Sequence, residues 1–572
     1  MKNQMVSEKF KEMAVMLELK GENPFKVRAY NKAAQNIESI SEDIEKVAAE
    51  GRLTSIPGVG KDLAEKIKSI IETGTFKEYE ELKSQTPEGL LKIVNIPGVG
   101  PKRAALIHKE LGITSEEELK EAAQKGLLRG LPRMGAKTEA NILKGIEIWQ
   151  QARARKPLGI TLPIAKEIIN YIKSVGKVQA IEVAGSIRRK KETNKDIDIL
   201  VSAEDPDHIM EGFTKMPIVK EVLLCGSTRS SIITQQDLQV DLRVVPRESF
   251  GAALQYFTGS KNHNIHLRAI AEKMGLKINE YGVFREDEKV AGETEEEVYS
   301  AIGLQFIPPE LREDKGEVEA AQSGYLPKLV EQKDIKGDLH MHTKWSDGAN
   351  SIMEMVEEAK KHGYSYIAIT DHSQSLTVAN GLTPERLLQQ IKEIDKINEI
   401  VEGIVVLKGI EVDILSDGSL DLPDEVLREL DIVIAAIHSG LKQPEEQINA
   451  RVLSAIRHPL VNIIAHPTGR IIGERDRYPI DLRKIMQEAK IHGVAIELNS
   501  FPNRLDINDE GCRLAKEIGV KIVINTDSHL KDQLSNMEFG VATARRGWIE
   551  ATDVINTMSL EELMSFLHKE GK

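Results

Sequence analysis

From residue 364 onward the chain repeats one phrase: a short apolar run, a polar residue at its end, then a helical stretch. The runs read "YSYIAITDH", "IVVLKGIEVD", "DIVIAAIHS", "VNIIAHP", "VAIELNS" and "KIVINTDSH". Continuous apolar runs between turns are strands buried on both faces, and strands that alternate with helices make a parallel sheet. The series therefore predicts a barrel-like βα fold, which keeps its chemistry at the C-terminal ends of its strands. His372, Glu411, His438, His466, Asp527 and His529 all stand at such ends.

Just ahead of the series, "GDLHMHTKWSDG" (337–348) puts His340 and His342 two apart, on one face of a strand, with Asp347 returning from the loop. Two imidazoles so placed can share a metal ion. A histidine near a turn is commonplace, but nine ligand-type residues at successive strand ends predict a metal centre. The His/Asp/Glu mixture suits Zn²⁺, Mn²⁺ or Fe²⁺. Asp371, beside His372, is expected to support a ligand from behind.

The first half has another texture. Residues 1–150 show helical periodicity broken by glycine turns, with a near-repeat: "SIPGVGKDLAEKI" at 55–67, "NIPGVGPKRAALI" at 95–107 and a weaker "GLPRMGAKTEANI" at 130–142. Gly58 and Gly60, like Gly98 and Gly100, let the backbone approach a phosphate closely, and the helix start that follows offers N–H donors. Such contacts hold a duplex without reading its sequence. From about residue 160 short β-type runs alternate with helices. In "KDIDILV" Asp196 and Asp198 point one way and Ile197 and Ile199 the other. Adjacent carboxylates repel, and a metal ion is the usual reason to keep them. With Asp241 of "QVDLRVV" they can hold two Mg²⁺ ions, or Mn²⁺ in their place, to activate a hydroxyl and stabilise a leaving pyrophosphate. Upstream, "AGSIRRK" sets the Gly185–Ser186 turn beside Arg188 and Arg189, a natural triphosphate clamp.

A chain of 572 residues needs several cores. Its net charge of −13 is uneven: about a dozen of the excess negative charges follow residue 320, so the first part is nearly neutral and carries basic clusters such as "QARARKP" and "SIRRKK". Local patches set contact with phosphates, so the total does not exclude DNA. Two cysteines, Cys225 and Cys512, make no disulfide framework and suggest a reducing, cytoplasmic setting. No signal peptide or membrane-length apolar run is found, so no membrane partner is expected.

Three resemblances follow from these motifs. The repeated glycine turns resemble the helix-hairpin-helix motifs of DNA repair proteins. The order Gly-Ser-x-Arg-Arg, Asp-x-Asp, Asp241 and "YFTGSKNHNIHLR" resembles the family X DNA polymerases, over essentially all of residues 1–315. By that resemblance Asp196, Asp198 and Asp241 are metal ligands, and Asp241 accepts the primer hydroxyl proton. Gly185, Ser186 and Arg189 bind the triphosphate; Tyr256, Phe257 and Gly259 form a wall against the sugar; Asn264 and Arg268 contact the base pair and template side. Gln239 departs from the pattern, since many relatives place an arginine there to pair with the third aspartate. "NPFKVRAYNKAAQNI" and "GKDLAEKI" resemble the lyase domain of the same family, with Lys66 at the Schiff-base position and Lys26 supporting it. Asp62 stands where a further basic residue is usual. The nine strand-end residues resemble the PHP (polymerase and histidinol phosphatase) domain, which implies up to three metal ions, Zn²⁺ or Mn²⁺, and phosphoester hydrolysis.

The expectation is thus a multidomain α+β and α/β chain: a helix-hairpin-helix front, a nucleotidyltransferase-type palm with a mixed sheet, and a distorted C-terminal βα barrel. Its expected parts are a lyase-like domain (1–85), a duplex-binding domain (86–155), a palm (156–245), a nucleotide-contacting domain (246–315), a linker (316–335) and a PHP domain (336–572). The function implied is short-gap DNA synthesis by a monomer from deoxyribonucleoside triphosphates on gapped or primed duplex DNA. A 3′–5′ exonuclease, abasic-site endonuclease or 3′-phosphatase activity would sit in the PHP domain. The competing reading is a PHP phosphoesterase whose front half only binds DNA.

Overall fold

A computed structural model describes residues 2–39, 44–94, 96, 98–153 and 155–568. Asn95 and Pro97 of the second glycine turn, and Ala154 of the cluster at 151–157, lie outside them. The chain forms two compact units. The first comprises Met1–Lys156, Ile164–Gly185 and Lys195–Phe306, and the second Pro157–Pro163, Ser186–Asn194 and Ile307–Lys572.

The helical front of the first unit has two cores, one built from residues between Val6 and Leu82 and another between Leu90 and Ile146. Its three hairpins share one backbone device. Gly58 and Gly98 adopt φ +85° and +86°, and the third copy puts Arg133 at the same place with φ +61°. The degenerate sequence therefore keeps the turn at a strain of about 1–3 kcal/mol, which a glycine would avoid.

The palm is a five-stranded sheet of β1 (Val178–Val183), β2 (Asp196–Ala203), β3 (Val219–Cys225), β4 (Arg229–Thr234) and β5 (Gln239–Val244). Its spatial order is β1-β2-β5-β4-β3, with β2 and β5 parallel and the other pairs antiparallel. It is the mixed sheet expected. Beyond it come helices Phe250–Thr258 and Lys261–Lys273 and a three-stranded antiparallel sheet.

The second unit is built on seven parallel strands in sequential order: β6 (Gly337–Asp338), β7 (Tyr366–Ile369), β8 (Val405–Asp413), β9 (Ile432–Ala436), β10 (Ile463–Ile464), β11 (Ala495–Asn499) and β12 (Ile522–Asn525). A parallel bridge between Met341 and Ser528 joins the chain just past the first and last strands, so the barrel is nearly closed. Strand alternation sorts the apolar residues. Tyr366, Ala368, Ile432 and Ile434 fall in one core, while Ile367, Ile369 and Val433 pack with the helices in another.

The polar run 316–335 contains ordered, partly buried structure. Its helix Glu317–Ser323 buries Val318 and Ala321, Glu317 is fully enclosed and accepts from the backbone N–H groups of Asp314 and Lys315, and Val330 N–H donates to Ile549 O at 2.9 Å. Several of its charges satisfy backbone donors instead of facing water.

Candidate active sites

Strand register builds the first site. Asp198 pairs directly with Asp241 across β2 and β5, and Asp196 lies two residues along on the same face. The three carboxylates meet because parallel neighbours in register place equivalent side chains side by side. Burial, then the charges of Asp196 and Asp241, push the Asp198 carboxyl up to about 7. Asp196 is also raised, first by burial. Gly185 has φ +59°, and a β-carbon there would fall 2.6 Å from Asp198 Oδ2, so only glycine fits against that carboxylate.

Asp241 is held in part by groups the sequence did not single out. Ser231 on β4, its register partner, donates its hydroxyl to Asp241 Oδ1, and Arg229 Nη2 lies 3.6 Å from the same oxygen. Gln239 Nε2 donates to Oδ2 at 3.2 Å, so the departure from the family pattern still supplies a donor, a neutral one. Only pairing of β4 with β5 could have exposed Ser231.

The helix Phe250–Thr258 ends in the "YFTGS" turn, where Gly259 has φ +70°. Tyr256 and Phe257 pack edge to face with centroids 5.0 Å apart, and the Arg243 guanidinium sits 4.6 Å from the Phe257 ring. Asn264 Nδ2 donates to Tyr256 O at 2.7 Å and its Oδ1 accepts from Gln255 Nε2 at 2.7 Å. Arg268 follows one helical turn on from Asn264. Ser186 and Arg189 belong to the second unit. There Arg189 Nε lies 3.0 Å from Glu313 Oε1, and Arg546 Nη1 donates to Arg189 O at 2.6 Å.

Of the two lysines, Lys26 is exposed near the start of helix Pro24–Ser39. Lys66 is 2.8 Å from Asp62 and 3.5 Å from Glu78. Burial alone would lower its ammonium, but hydrogen bonds to Asp62 and Tyr30 hold it above the usual lysine range. Asp62, the residue out of pattern, thus engages Lys66 one turn along the same helix.

The second site gathers all nine strand-end residues into one cluster. Glu411 is its hub: His372 Nδ1 lies 2.8 Å and His340 Nε2 3.4 Å from Oε2, while His466 Nε2 lies 2.9 Å and His438 Nε2 3.3 Å from Oε1. His342 Nε2 is 3.1 Å from Asp527 Oδ1 and 3.2 Å from His340 Nε2, and its ring stacks between those of His372 and His529. Asp347 Oδ1 reaches His529 Nε2 at 3.4 Å. His466 and Asp527 have φ +25° and +54°, strain that β-branched or bulky core positions rarely hold and active sites often do.

Charge in the cluster is sharply divided. Burial and then the neighbouring His372 and His529 push His342 down to about 3. Glu411 and Asp527 sit well below the carboxylate range because surrounding imidazoles outweigh their burial. Three overlapping donor groups can each surround an ion: His342, Asp347, His372 and His529; His340, His342 and Asp527; and His372, Glu411 and His438. Buried His342 Nδ1, His372 Nδ1 and Glu411 Oε2 make no hydrogen bond although they face other donors and acceptors. Orphaned buried lone pairs of this kind are what a cation would satisfy, so the residues fit metal.

Reasoning from sequence missed Glu497 and Asp413. Glu497 lies inside the apolar run "VAIELNS", and a carboxylate in a strand buried on both faces was the available signal. Asp413 follows Glu411 by two on β8, hence on the same face.

Comparison with known proteins accords with this geometry. Family models match as a helix-hairpin-helix domain over residues 1–76, a SAM-like helix-hairpin-helix tandem over 90–147, a DNA polymerase beta thumb over 253–313 and a PHP domain over 338–500. The chain is 44% identical over 561 residues to the DNA polymerase/3′-5′ exonuclease PolX of Bacillus subtilis (strain 168), covering 97% of this chain and 98% of that protein. Its C-terminal part alone is similar to smaller proteins. A probable phosphatase of Thermoanaerobacter sp. (strain X514) is 36% identical over 38% of this chain and 89% of its own length. One of Caldanaerobacter subterraneus subsp. tengcongensis is 30% identical over 41% and 92%. Near full-length similarity to one protein that couples both halves, with the carboxylates and the nine-residue cluster intact, leads to one conclusion: the chain belongs to the bacterial-type family X DNA polymerases that carry a C-terminal PHP domain.

Proposed function

We propose that this protein extends a DNA primer across short gaps during repair and trims the same 3′ end with its PHP domain. The observation that carries the reading is the in-register meeting of Asp196, Asp198 and Asp241 in a chain that also gathers eight PHP-type donors into ion-sized groups, with His466 against Glu411 beside them.

Asp196, Asp198 and Asp241 would hold Mg²⁺, or Mn²⁺, which neutralises the triphosphate and makes the primer hydroxyl a better nucleophile. In the reaction the primer 3′ oxygen attacks the α-phosphorus of a deoxyribonucleoside triphosphate and pyrophosphate leaves. The hydroxyl proton passes to Asp241, whose carboxylate Ser231 and Gln239 orient from either side. Tyr256 and Phe257 set the sugar wall, and Asn264 braces it through the Tyr256 carbonyl. Gly185, Ser186 and Arg189 take the triphosphate, with Arg189 exchanging its Glu313 partner for phosphate oxygens. Gly58, Gly60, Gly98 and Gly100 grip the duplex backbone and Arg268 the template side. Lys66 is assigned no lyase step, since Asp62 engages its ammonium.

His340, His342, Asp347, His372, Glu411, His438, His466, Asp527 and His529 would hold up to three ions, Zn²⁺ or Mn²⁺, which supply an activated water and neutralise the scissile phosphate. The probable-phosphatase relatives favour a second substrate here, a terminal 3′-phosphate. The setting is cytosolic, in keeping with two free cysteines and with no described helix long and apolar enough to cross a membrane. A monomer suffices, because each ligand set lies within one chain.

A 5′-labelled primer in a gapped duplex, incubated with Mg²⁺ or Mn²⁺ and with or without nucleotides, tests the reading. Longer products with nucleotides and shorter ones without are expected. Shortening alone would leave the front half as a DNA-binding module only.

A further inference from the structure

Behind the nine donors lie three more carboxylates, Asp371, Asp413 and Glu497, all buried and none of them in the three donor groups. We infer that each of these carboxylates positions a different donor group, so that the three ion sites can be weakened one at a time. The inference rests on the reading that this cluster holds metal.

Glu497 lies behind the group of His340, His342 and Asp527. His340 Nδ1 is 2.7 Å from Glu497 Oε1, while His340 Nε2 faces the cluster. An imidazole has one N–H and one lone pair when neutral, so a carboxylate at Nδ1 fixes the tautomer and turns the Nε2 lone pair toward the ion. Glu497 is itself fixed: Asn525 Nδ2 donates to Oε1 at 3.0 Å and His466 N–H to Oε2 at 2.8 Å. The strand that carries it, β11, provides none of the nine donors.

Asp413 plays the same part for the group of His372, Glu411 and His438. Its Oδ1 is 2.5 Å from His438 Nδ1, and its Oδ2 accepts from Ser375 Oγ at 2.6 Å. His438 Nε2 is left facing Glu411. Asp371 acts differently, on a loop instead of a ring. Its Oδ1 accepts from the N–H groups of Thr343 and Ser346, at 2.8 and 3.1 Å, and from Ser346 Oγ. Its Oδ2 accepts from Thr343 Oγ1 at 2.7 Å. Those four bonds hold the turn that presents Asp347, which with His529 belongs only to the group of His342, Asp347, His372 and His529.

Two of the donors cannot be separated in this way. His342 and His372 each serve two groups, so replacing either weakens two sites together. Among the described residues the Asp413 side chain bonds to a donor of one group only, that of Asp371 to the Thr343–Ser346 turn, and that of Glu497 to His340 of one group and to the backbone N–H of His466, which stands in none of the three.

The test uses the full-length protein, stripped of metal by chelation and titrated with Mn²⁺ followed by magnetic resonance, and with Zn²⁺ followed by calorimetry. Wild type should take up three ions. Glu497→Gln, Asp413→Asn and Asp371→Asn keep shape and remove charge, and each should weaken one ion about 10-fold or more while the other two are unchanged. Glu497→Asp and Asp413→Glu, which keep the charge, should recover part of the loss. Circular dichroism of the stripped proteins checks folding, and if one variant does not fold the other two carry the test. Uniform weakening of all ions in every variant, or none in any, would overturn the inference while leaving the metal reading standing. A wild type that takes up no ion would overturn both.

Discussion

The two catalytic clusters solve one problem, holding anions together, in opposite ways. The palm site sets three carboxylates on two neighbouring strands, and its closeness comes from register alone. The PHP site draws nine residues from the ends of six strands and mixes imidazole with carboxylate, so its positive and negative groups already balance one another. The palm carboxylates have fewer counter-charges, Arg229 near Asp241 among them: Asp198 is still pushed up toward neutrality, whereas Glu411 and Asp527 are held ionised. A site of bare oxygens should therefore bind Mg²⁺ loosely and feel its loss strongly, while an imidazole-rich site should retain transition metals.

The largest expected effect breaks the palm and spares the barrel. Asp196→Ala with Asp198→Ala should lower primer extension by about 10³-fold or more, the equivalent of several kcal/mol of lost electrostatic stabilisation. Shortening of the primer should remain. Extension near the wild-type rate would remove these residues from the reaction.

The reverse experiment is His342→Ala, which removes a donor common to two groups. Affinity for two of the three ions and shortening should fall together, by about 10- to 100-fold, with extension on a clean gapped substrate altered less than about threefold. If extension falls as far as shortening in a folded variant, the two centres are not chemically separate.

Stability against pH sharpens the contrast further. Asp198 is raised to about 7 when folded, above its unfolded value, so its contribution is fully present below about pH 4 and is lost as pH rises through 7. In metal-free protein, denaturant unfolding of the first unit should weaken over that window by about 1–3 kcal/mol, and Asp198→Asn should flatten the slope. The barrel should respond the other way at its acid limit. Glu411 and Asp527 are depressed, so their contribution is present above about pH 4 and is lost on acidification. Its alkaline limit comes from His529 and His438, raised to about 9 and about 10 against their burial by Asp347, Asp527, Glu411 and Asp413. Parallel pH profiles for the two units would contradict this division of charge.

The smallest effect concerns Lys66. Its ion pair with the exposed Asp62 is worth about 0.3–0.5 kcal/mol, so Asp62→Ala should leave stability nearly unchanged. Borohydride trapping on a 5′ abasic end should give little adduct with wild type and more with Asp62→Ala. Strong trapping by wild type that disappears in Lys66→Ala would restore the lyase role.

Much of this was legible in the chain. Asp196 and Asp198 could be placed together because alternation along a strand is a local property, whereas His340 and His342 flank Met341 just past the end of β6. The helical hairpins were legible as repeats, even the third, where Arg133 takes the glycine conformation. Charge content along 316–335 says nothing of which carboxylate accepts from a backbone donor, as Glu317 does. Ser231, Glu497 and Asp413 escaped notice because their partners lie on other strands.

The sequence by itself determined the elements and the kinds of ligand: period-two strands, glycine turns, a βα series, oxygen donors in front and imidazoles behind. These depend on spacing within a few residues, which the covalent chain sets directly. Only the tertiary structure decided that Glu411 stands at the centre of its cluster, that Ser231 and Gln239 flank Asp241, and that Glu497 and Asp413 stand behind His340 and His438. Those relations exist only once the palm strands pair in register and the barrel brings its strand ends to one face, because hydrogen bonds and charge interactions act through space over a few ångströms, whatever the distance along the chain.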